Sequence, residues 1–277
     1  MNIHMLNDIP PWDWPENAGE FISKALCDKN APVADRVLAA EMAGDHVVMD
    51  DDIGDLLLTI IRDNDEPVEL RAKAAISLGP AIDYANMMEF DDPDDILLSE
   101  EAFHKVQKQL QDIYQDAGAP KELRRMALEA SVHAPMNWHK QAIQEAYRGN
   151  DRQWLLTAVF CMGYVKGFED QILASLESEN PDILYEAVRS AGNRGVKAAW
   201  PYIEEIITDE EADKPLLIAA IEASVYINPV ESVDILSELS LSDDEEIAET
   251  AEEALAMAGM YADDLSEDDD FPEEDLS

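Results

Sequence analysis

The stretch DNDEPVELRAKAAISLG, from Asp63 to Gly79, decides how the rest of the chain is read. Alone, it sets a group of acids before an arginine and looks like a site. Beside other segments it becomes one copy of a repeat. DKNAPVADRVLAAEMAG (Asp28–Gly44) matches its proline-to-glycine distance residue for residue. DAGAPKELRRMALEASV (Asp116–Val132) keeps the Pro, Arg and Ala placements but ends in valine. NDRQWLLTAVFCMG (Asn150–Gly163) lacks the proline, and ESENPDILYEAVRSAG (Glu177–Gly192) is one residue shorter. DEEADKPLLIAAIEASVYIN, from Asp209, ends in Asn228, and SDDEEIAETAEEALAMAG closes the series at Gly259.

These are roughly seven copies, mostly spaced by about thirty to thirty-five residues, a period typical of helical solenoids. Between Pro67 and Pro120 the interval is longer, and IDYANMMEFDDPDDILLSE (Ile82–Glu100) reads as an acidic inserted loop. Each copy also has a partner segment with apolar residues at helical spacing. In GFEDQILASLES, for example, Phe168, Ile172, Leu173 and Leu176 fall on one stripe. Each repeat is therefore two antiparallel helices. One such pair cannot bury both its apolar faces, whereas stacked neighbours can. The expected fold is all-α, an α-solenoid of about seven helix pairs over residues 17–262. It follows a Pro/Trp lead (1–16), contains the insert near 82–100, and precedes an acidic tail (263–277) expected to be disordered.

Within the opening stretch, Asp63 and Asp65 are expected to cap and charge the start of a helix. Pro67 suits the first helical turn, where its missing N–H costs nothing. Val68, Ala72, Ala75 and Leu78 form an inward stripe, and Gly79 falls where a left-handed C-terminal cap is expected. The pattern P-V-x-x-R-x-x-A-A-x-x-L-G resembles the second helix of a HEAT repeat, of the short bacterial kind also found in phycobilin-lyase-like proteins. The likeness extends from about Asn17 to Gly259. It implies that the second helices line the concave face of an armadillo-like array, and that their polar positions form the binding surface. Such arrays serve many unrelated roles, so the likeness speaks to fold more than to function.

Composition narrows the partners. Only 19 lysines and arginines stand against 62 acids, a formal net charge of −43. Binding to a phosphate backbone needs cations that release counterions, so direct nucleic-acid binding is not expected. An anionic membrane surface is equally unfavourable, and no apolar run approaches a membrane span. A basic protein partner fits the charge, as do plain solubility and a saline cytoplasm. Cys27 and Cys161 sit in apolar helical contexts and read as buried free thiols of a reducing cytoplasm. MNIHMLNDIPPWDWPEN has no basic region before an apolar run, so it does not read as a signal peptide.

Among so few cations, Arg36, Arg71, Arg124, Arg125 and Arg189 stand out. A row of guanidiniums along a groove could clamp an acidic peptide or a phosphate. The competing reading is an Asp–Arg ladder joining successive repeats, with Asp63 or Asp116 as partners. Lys73 and Asn193 are further outward polar positions of the repeat. His133, Trp138 and His139 cluster in SVHAPMNWHKQ, but Pro135 separates the histidines and no zincin spacing is present, so turn packing is favoured over a metal. No His-Glu dipeptide occurs, unlike the paired ligands of the iron hydroxylase built from such repeats. Trp12 and Trp14, in IPPWDWPEN, read as an end cap over the first apolar face or as a docking motif. Trp154 and Trp200 read as core or groove wall.

The acid runs MDDDIGD (Met49–Asp55), EFDDPDD (Glu89–Asp95) and DDLSEDDDFPEEDLS (Asp263–Ser277) lack the EF-hand order. The first reads as a helix start and the second as a solvated loop. There is no G-x-S-x-G, Walker loop, dinucleotide glycine fingerprint or C-x-x-C. No cofactor and no metal are expected. The resulting expectation is a cytoplasmic, non-catalytic scaffold that binds another protein or peptide. One alternative is chromophore attachment of the bilin-lyase kind, with Cys161 or the acids taking part. Another is an acidic mimic of nucleic acid.

Overall fold

The computed structural model describes residues 2–88, 90, 97–209 and 211–267, with side chains to residue 260. The run EFDDPDD, apart from Phe90, and residues 268–277 of the tail lie outside the described residues. The fold is an all-α solenoid; among the described residues there is no strand.

The chain divides into two compact units, residues 1–142 and 143–277. The first opens with α1 (Ile3–Asn7) and a 3-10 turn at Pro11–Asp13. Three helix pairs follow: α2 (Ala18–Cys27) with α3 (Val33–Met42), α4 (Asp51–Arg62) with α5 (Val68–Ile76), and α7 (Glu100–Gln115) with α8 (Lys121–Ser131). Between the last two pairs lies α6 (Gly79–Met88). The first part of the expected loop, Ile82–Met88, is therefore helix. Ile82 and Ala85 are buried, and α6 packs on α7 and α8. Helix α9 (Asn137–Arg148) carries the chain past the division. The second unit continues with α10 (Arg152–Met162), and then α11 (Glu169–Leu176) with α12 (Pro181–Arg194). The pair α13 (Trp200–Thr208) and α14 (Lys214–Ile227) follows, then α15 (Pro229–Leu239) and α16 (Glu245–Glu267). Helix α16 runs past residue 262, where the array was expected to give way to the tail.

Within each unit, like packs on like. Helices α3, α5 and α8 stack in series, as do α10, α12, α14 and α16. One contact recurs in both stacks, at Gly44, Gly79 and Gly192. Counting from the N-cap residue of each second helix, the twelfth position packs on the tenth position of the next. A Cβ added to Gly44 would stand 2.5 Å from the Ser77 carbonyl oxygen. At Gly192 it would meet Ala223 Cα at 2.8 Å, and at Gly79 it would meet His133 Cδ2 at 3.0 Å and Ala130 Cα at 3.6 Å. The repeat glycine is thus selected by close helix approach. Its backbone is not left-handed: among the described glycines only Gly167 (φ 91°) and Gly195 (φ 56°) are. Gly195 caps α12, three residues beyond the repeat glycine.

Other details of the opening stretch also differ from expectation. Pro67 is the N-cap itself, in extended geometry (φ −56°, ψ 139°), as are Pro32 and Pro120. Asp63 closes the turn before α5: its Oδ1 accepts the Asp65 N–H at 3.0 Å. Asp28 does the same for Asn30 and Asp116 for Gly118. Val68 is partly exposed, and the buried face instead runs through Leu70, Arg71, Ala72, Ala74, Ala75 and Leu78. MDDDIGD does start a helix, with Asp50 Oδ1 accepting the Ile53 N–H at 2.8 Å. Cys27 is exposed, contrary to expectation, and Cys161 is buried.

Candidate functional site

The arginines of the first unit form a repeated internal clamp. The last turn of a helix leaves carbonyls without partners in the helix. Four residues after each proline N-cap, an arginine Nε reaches back to one of them. Arg36 donates to Leu26 O (3.0 Å), Arg71 to Ile61 O (2.8 Å) and Arg124 to Tyr114 O (2.8 Å). Arg36 and Arg71 are buried, so neither belongs to an open face. Beyond its clamp, Arg36 extends its terminal nitrogens to Glu66 of the next repeat, at 2.6 and 2.9 Å. The hydrogen bonds from Arg36 hold the Glu66 carboxyl below its usual value despite burial. The acid that takes the repeat arginine is therefore Glu66, next to the N-cap. Asp63 instead pairs with Lys29 at 2.9 Å. Arg125 is also buried, 3.5 Å from Glu129 one turn along.

Trp138 and His139 belong to an aromatic cluster at the start of α9. Tyr114 stacks on Trp138 (centroids 5.2 Å apart), and the Trp138 and His139 rings lie 3.9 Å apart. His139 is fully buried. Its Nδ1 accepts the Met136 N–H at 2.8 Å, which assigns the ring proton to Nε2, 2.9 Å from Ser131 Oγ. Ser131 Oγ in turn donates to Leu128 O at 3.0 Å. Burial drives the His139 pKa down to about 4. His133 lies 3.9 Å from Asp83 and does not join His139 in a ligand set. Among the described residues, no group of three His, Cys, Asp or Glu side chains could hold a metal ion.

In the second unit the clamp arginine gives way to leucine, at Leu155, Leu184 and Leu217, and the N-caps become Asp151, Asn180 and Asp213. Trp154 is half-buried in the first turn of α10, and its backbone N–H donates to Asp151 Oδ1 at 3.3 Å. Here α12, α14 and α16 enclose a groove of about 300 Å³. Its wall includes Arg189, Asn193, Glu222, Tyr226, Glu253 and Met257. Arg189 lies 3.6 Å from Glu186, and its guanidinium lies 5.8 Å from the Tyr185 ring centre. Burial pushes the Glu186 carboxyl up, and Arg189 partly opposes the shift. Glu222 and Glu253 are exposed, and no cation among the described residues pairs with either. The first unit has a wider groove of about 640 Å³ beside Trp14, His46 and Lys73. Lys73 there is paired with Glu41 at 3.1 Å.

One register accounts for both grooves. Positions six, nine and thirteen after the N-cap point into them: Lys73 at six; Glu41, Ile76, Arg189 and Glu222 at nine; Asp45, Pro80, Asn193 and Tyr226 at thirteen. Asp244, which accepts the Glu246 N–H at 3.2 Å, occupies the equivalent N-cap place before α16. That puts Glu253 at nine and Met257 at thirteen. Of the residues singled out from sequence, Trp14, Lys73, Arg189 and Asn193 line a groove, and His133 shares the thirteenth position. Arg36, Arg71 and Arg124 (fourth), Arg125 (fifth) and Trp154 (third) do not. Glu222, Tyr226 and Glu253 were missed, though the same register locates them.

This arrangement defines a class, the α-solenoid of stacked helix pairs. Within it, residues 169–256 match the HEAT-repeat family model, so this stretch of the second unit is made of HEAT repeats. No curated protein matches the sequence. Several solved structures are similar to it at low identity. The CpcE–CpcF complex of phycocyanin lyase from Nostoc is 16% identical, with a TM-score of 0.45 over 91% of this chain and 98% of that one. Human deoxyhypusine hydroxylase is 16% identical, with a TM-score of 0.41 over 93% and 88%. YibA of E. coli is 12% identical, with a TM-score of 0.41 over 93% and 95%. Among the described residues, no helix is long and apolar enough to cross a membrane.

Proposed function

We propose that this chain is a non-catalytic, cytoplasmic scaffold that holds a protein partner of basic character in the groove between α12, α14 and α16. The observation that carries the reading is the groove's make-up. Two carboxylates, Glu222 and Glu253, face solvent and form no ion pair among the described residues, beside an exposed Tyr226 and the Met257 side chain. A lysine or arginine from a partner supplies the missing charge, and its stem packs on the tyrosine ring. The net charge of −43 speeds the approach of such a partner. A catalytic part for Cys161 loses its support, because that thiol is buried. The test is affinity purification of the wild-type chain and of the Glu222→Lys/Glu253→Lys double variant at about 0.15 M salt. Basic proteins retained by the wild type should be lost by the variant. An identical set retained by both would remove the groove from the function.

A further inference from the structure

The Arg36 clamp shows what its repeated arginine is built to hold. Its Nε is spent on the Leu26 carbonyl, and its two terminal nitrogens take both oxygens of Glu66. Arg71 occupies the same place one repeat later, with Nε on the Ile61 carbonyl at 2.8 Å. The residue corresponding to Glu66, immediately before the N-cap of the following repeat, is Ala119. The two turns agree in their hydrogen bonds. Glu66 N–H donates to Asp63 O at 3.1 Å, and Ala119 N–H donates to Asp116 O at 3.1 Å. Asp63 Oδ1 accepts from Asp65 N–H at 3.0 Å, and Asp116 Oδ1 accepts from Gly118 N–H at 2.8 Å. The Ala119 methyl group therefore stands where Glu66 begins, and the carboxylate is missing.

Arg71 is only 5% exposed, yet among the described residues nothing accepts from its terminal nitrogens. Its charge helps to hold the Asp63 carboxyl below its usual value, but the Asp63 oxygens are occupied by Lys29 Nζ and the Asp65 N–H. Neither terminal nitrogen of Arg71 is fully sealed from solvent, unlike Arg194 Nε. A buried guanidinium whose terminal nitrogens have no acceptor is costly, and a carboxylate with two parallel acceptors relieves that cost best. We propose that the terminal nitrogens of Arg71, beside the turn Asp116–Pro120, form a binding site for a carboxylate group supplied from outside the chain.

The site is tested by NMR of the arginine Nε–H groups in the full chain, titrated with sodium acetate against sodium chloride at matched ionic strength. The Arg71 signal should move saturably with acetate and not with chloride. The Arg36 signal, whose fork already holds Glu66, should stay in place. Ala119→Glu restores the acid within the chain and should weaken the acetate response at Arg71 by about tenfold or more. An Arg71 signal that ignores acetate, or follows chloride equally, overturns the proposal. So does a folded Ala119→Glu chain with an unchanged response. If that variant does not fold, the wild-type titration decides. A blocked Ala-Glu-Ala tripeptide separates the two sources. Tighter binding than acetate assigns the site to a peptide carboxylate, and equal binding assigns it to a small free acid.

Discussion

His139 is a histidine whose sequence context suggested a site and whose environment makes it structural. It lies in the interior with both ring nitrogens engaged, and its pKa falls to about 4 because burial disfavours the imidazolium. The consequence for stability has a definite sign. In the unfolded chain the ring takes up a proton near pH 6.5, whereas the folded chain resists until about pH 4. Between these limits the unfolded state binds more protons, so stability rises with pH across the window and falls on acidification. The full effect is about 3 kcal/mol, an order-of-magnitude figure. NMR titration of the His139 ring should give a midpoint near 4. The difference in unfolding free energy between wild type and His139→Gln should grow from pH 4 to 6.5 and flatten above it. A ring titrating near 6.5 would show that the site is wetter than the packing around Trp138 indicates.

At the scale of one helix on the next, stacking depends on small residues in register. Gly192 lies against the Ala223 backbone and Gly44 against the Ser77 carbonyl. A methyl group at either position forces the second helices apart, so Gly44→Ala and Gly192→Ala should each destabilise by about 1–3 kcal/mol. Gly259 is the control. It lies inside α16, and an added Cβ meets nothing within 4 Å. There the helix preference for alanine acts alone, and Gly259→Ala should be neutral or stabilising by up to about 1 kcal/mol. Urea denaturation of the three variants checks the sign at each position. Equal effects at Gly192 and Gly259 would mean that backbone freedom, not contact, selects the repeat glycine.

The same elements show what the sequence made legible. Apolar spacing and the Pro-to-Gly distance were sufficient for helix pairs and their stacking, because both follow from local periodicity. What periodicity leaves open is where each polar side chain ends. Arg36 and Arg71 read either as groove cations or as members of an Asp–Arg ladder, but their long stems let them bend back to a helix-end carbonyl, and no spacing rule reveals that. Gly79 read as a cap because its neighbour in the next repeat, Ala130, is distant in sequence. Two of the groove acids, Glu222 and Glu253, were legible in principle, since they share one repeat position, but they vanish among 62 acids unless the register is counted from the N-cap.

For the whole molecule the dominant quantity is charge. With 62 acids and 19 bases, most carboxylates have no cation to pair with one to one. Ion pairs such as Lys105–Asp55 and Lys108–Asp112 are exposed, and each contributes little. The buried Arg36–Glu66 pair is shielded from added salt by its surroundings. Self-repulsion of the remaining acids therefore outweighs the attraction that salt would weaken. Raising sodium chloride from about 0.01 to 1 M shortens the screening length from about 30 to 3 Å, and the folded chain should gain stability. In a chain of this size, each kcal/mol of relieved repulsion raises the thermal midpoint by about 2–4 °C. Chloride is the right salt for the measurement, because sulfate also strengthens apolar burial and would raise the midpoint for another reason. A midpoint that falls with sodium chloride would show that attractive pairs outweigh the repulsion. It would also weaken the expectation that a basic partner stabilises the chain most at low salt, where its charge relieves the largest repulsion.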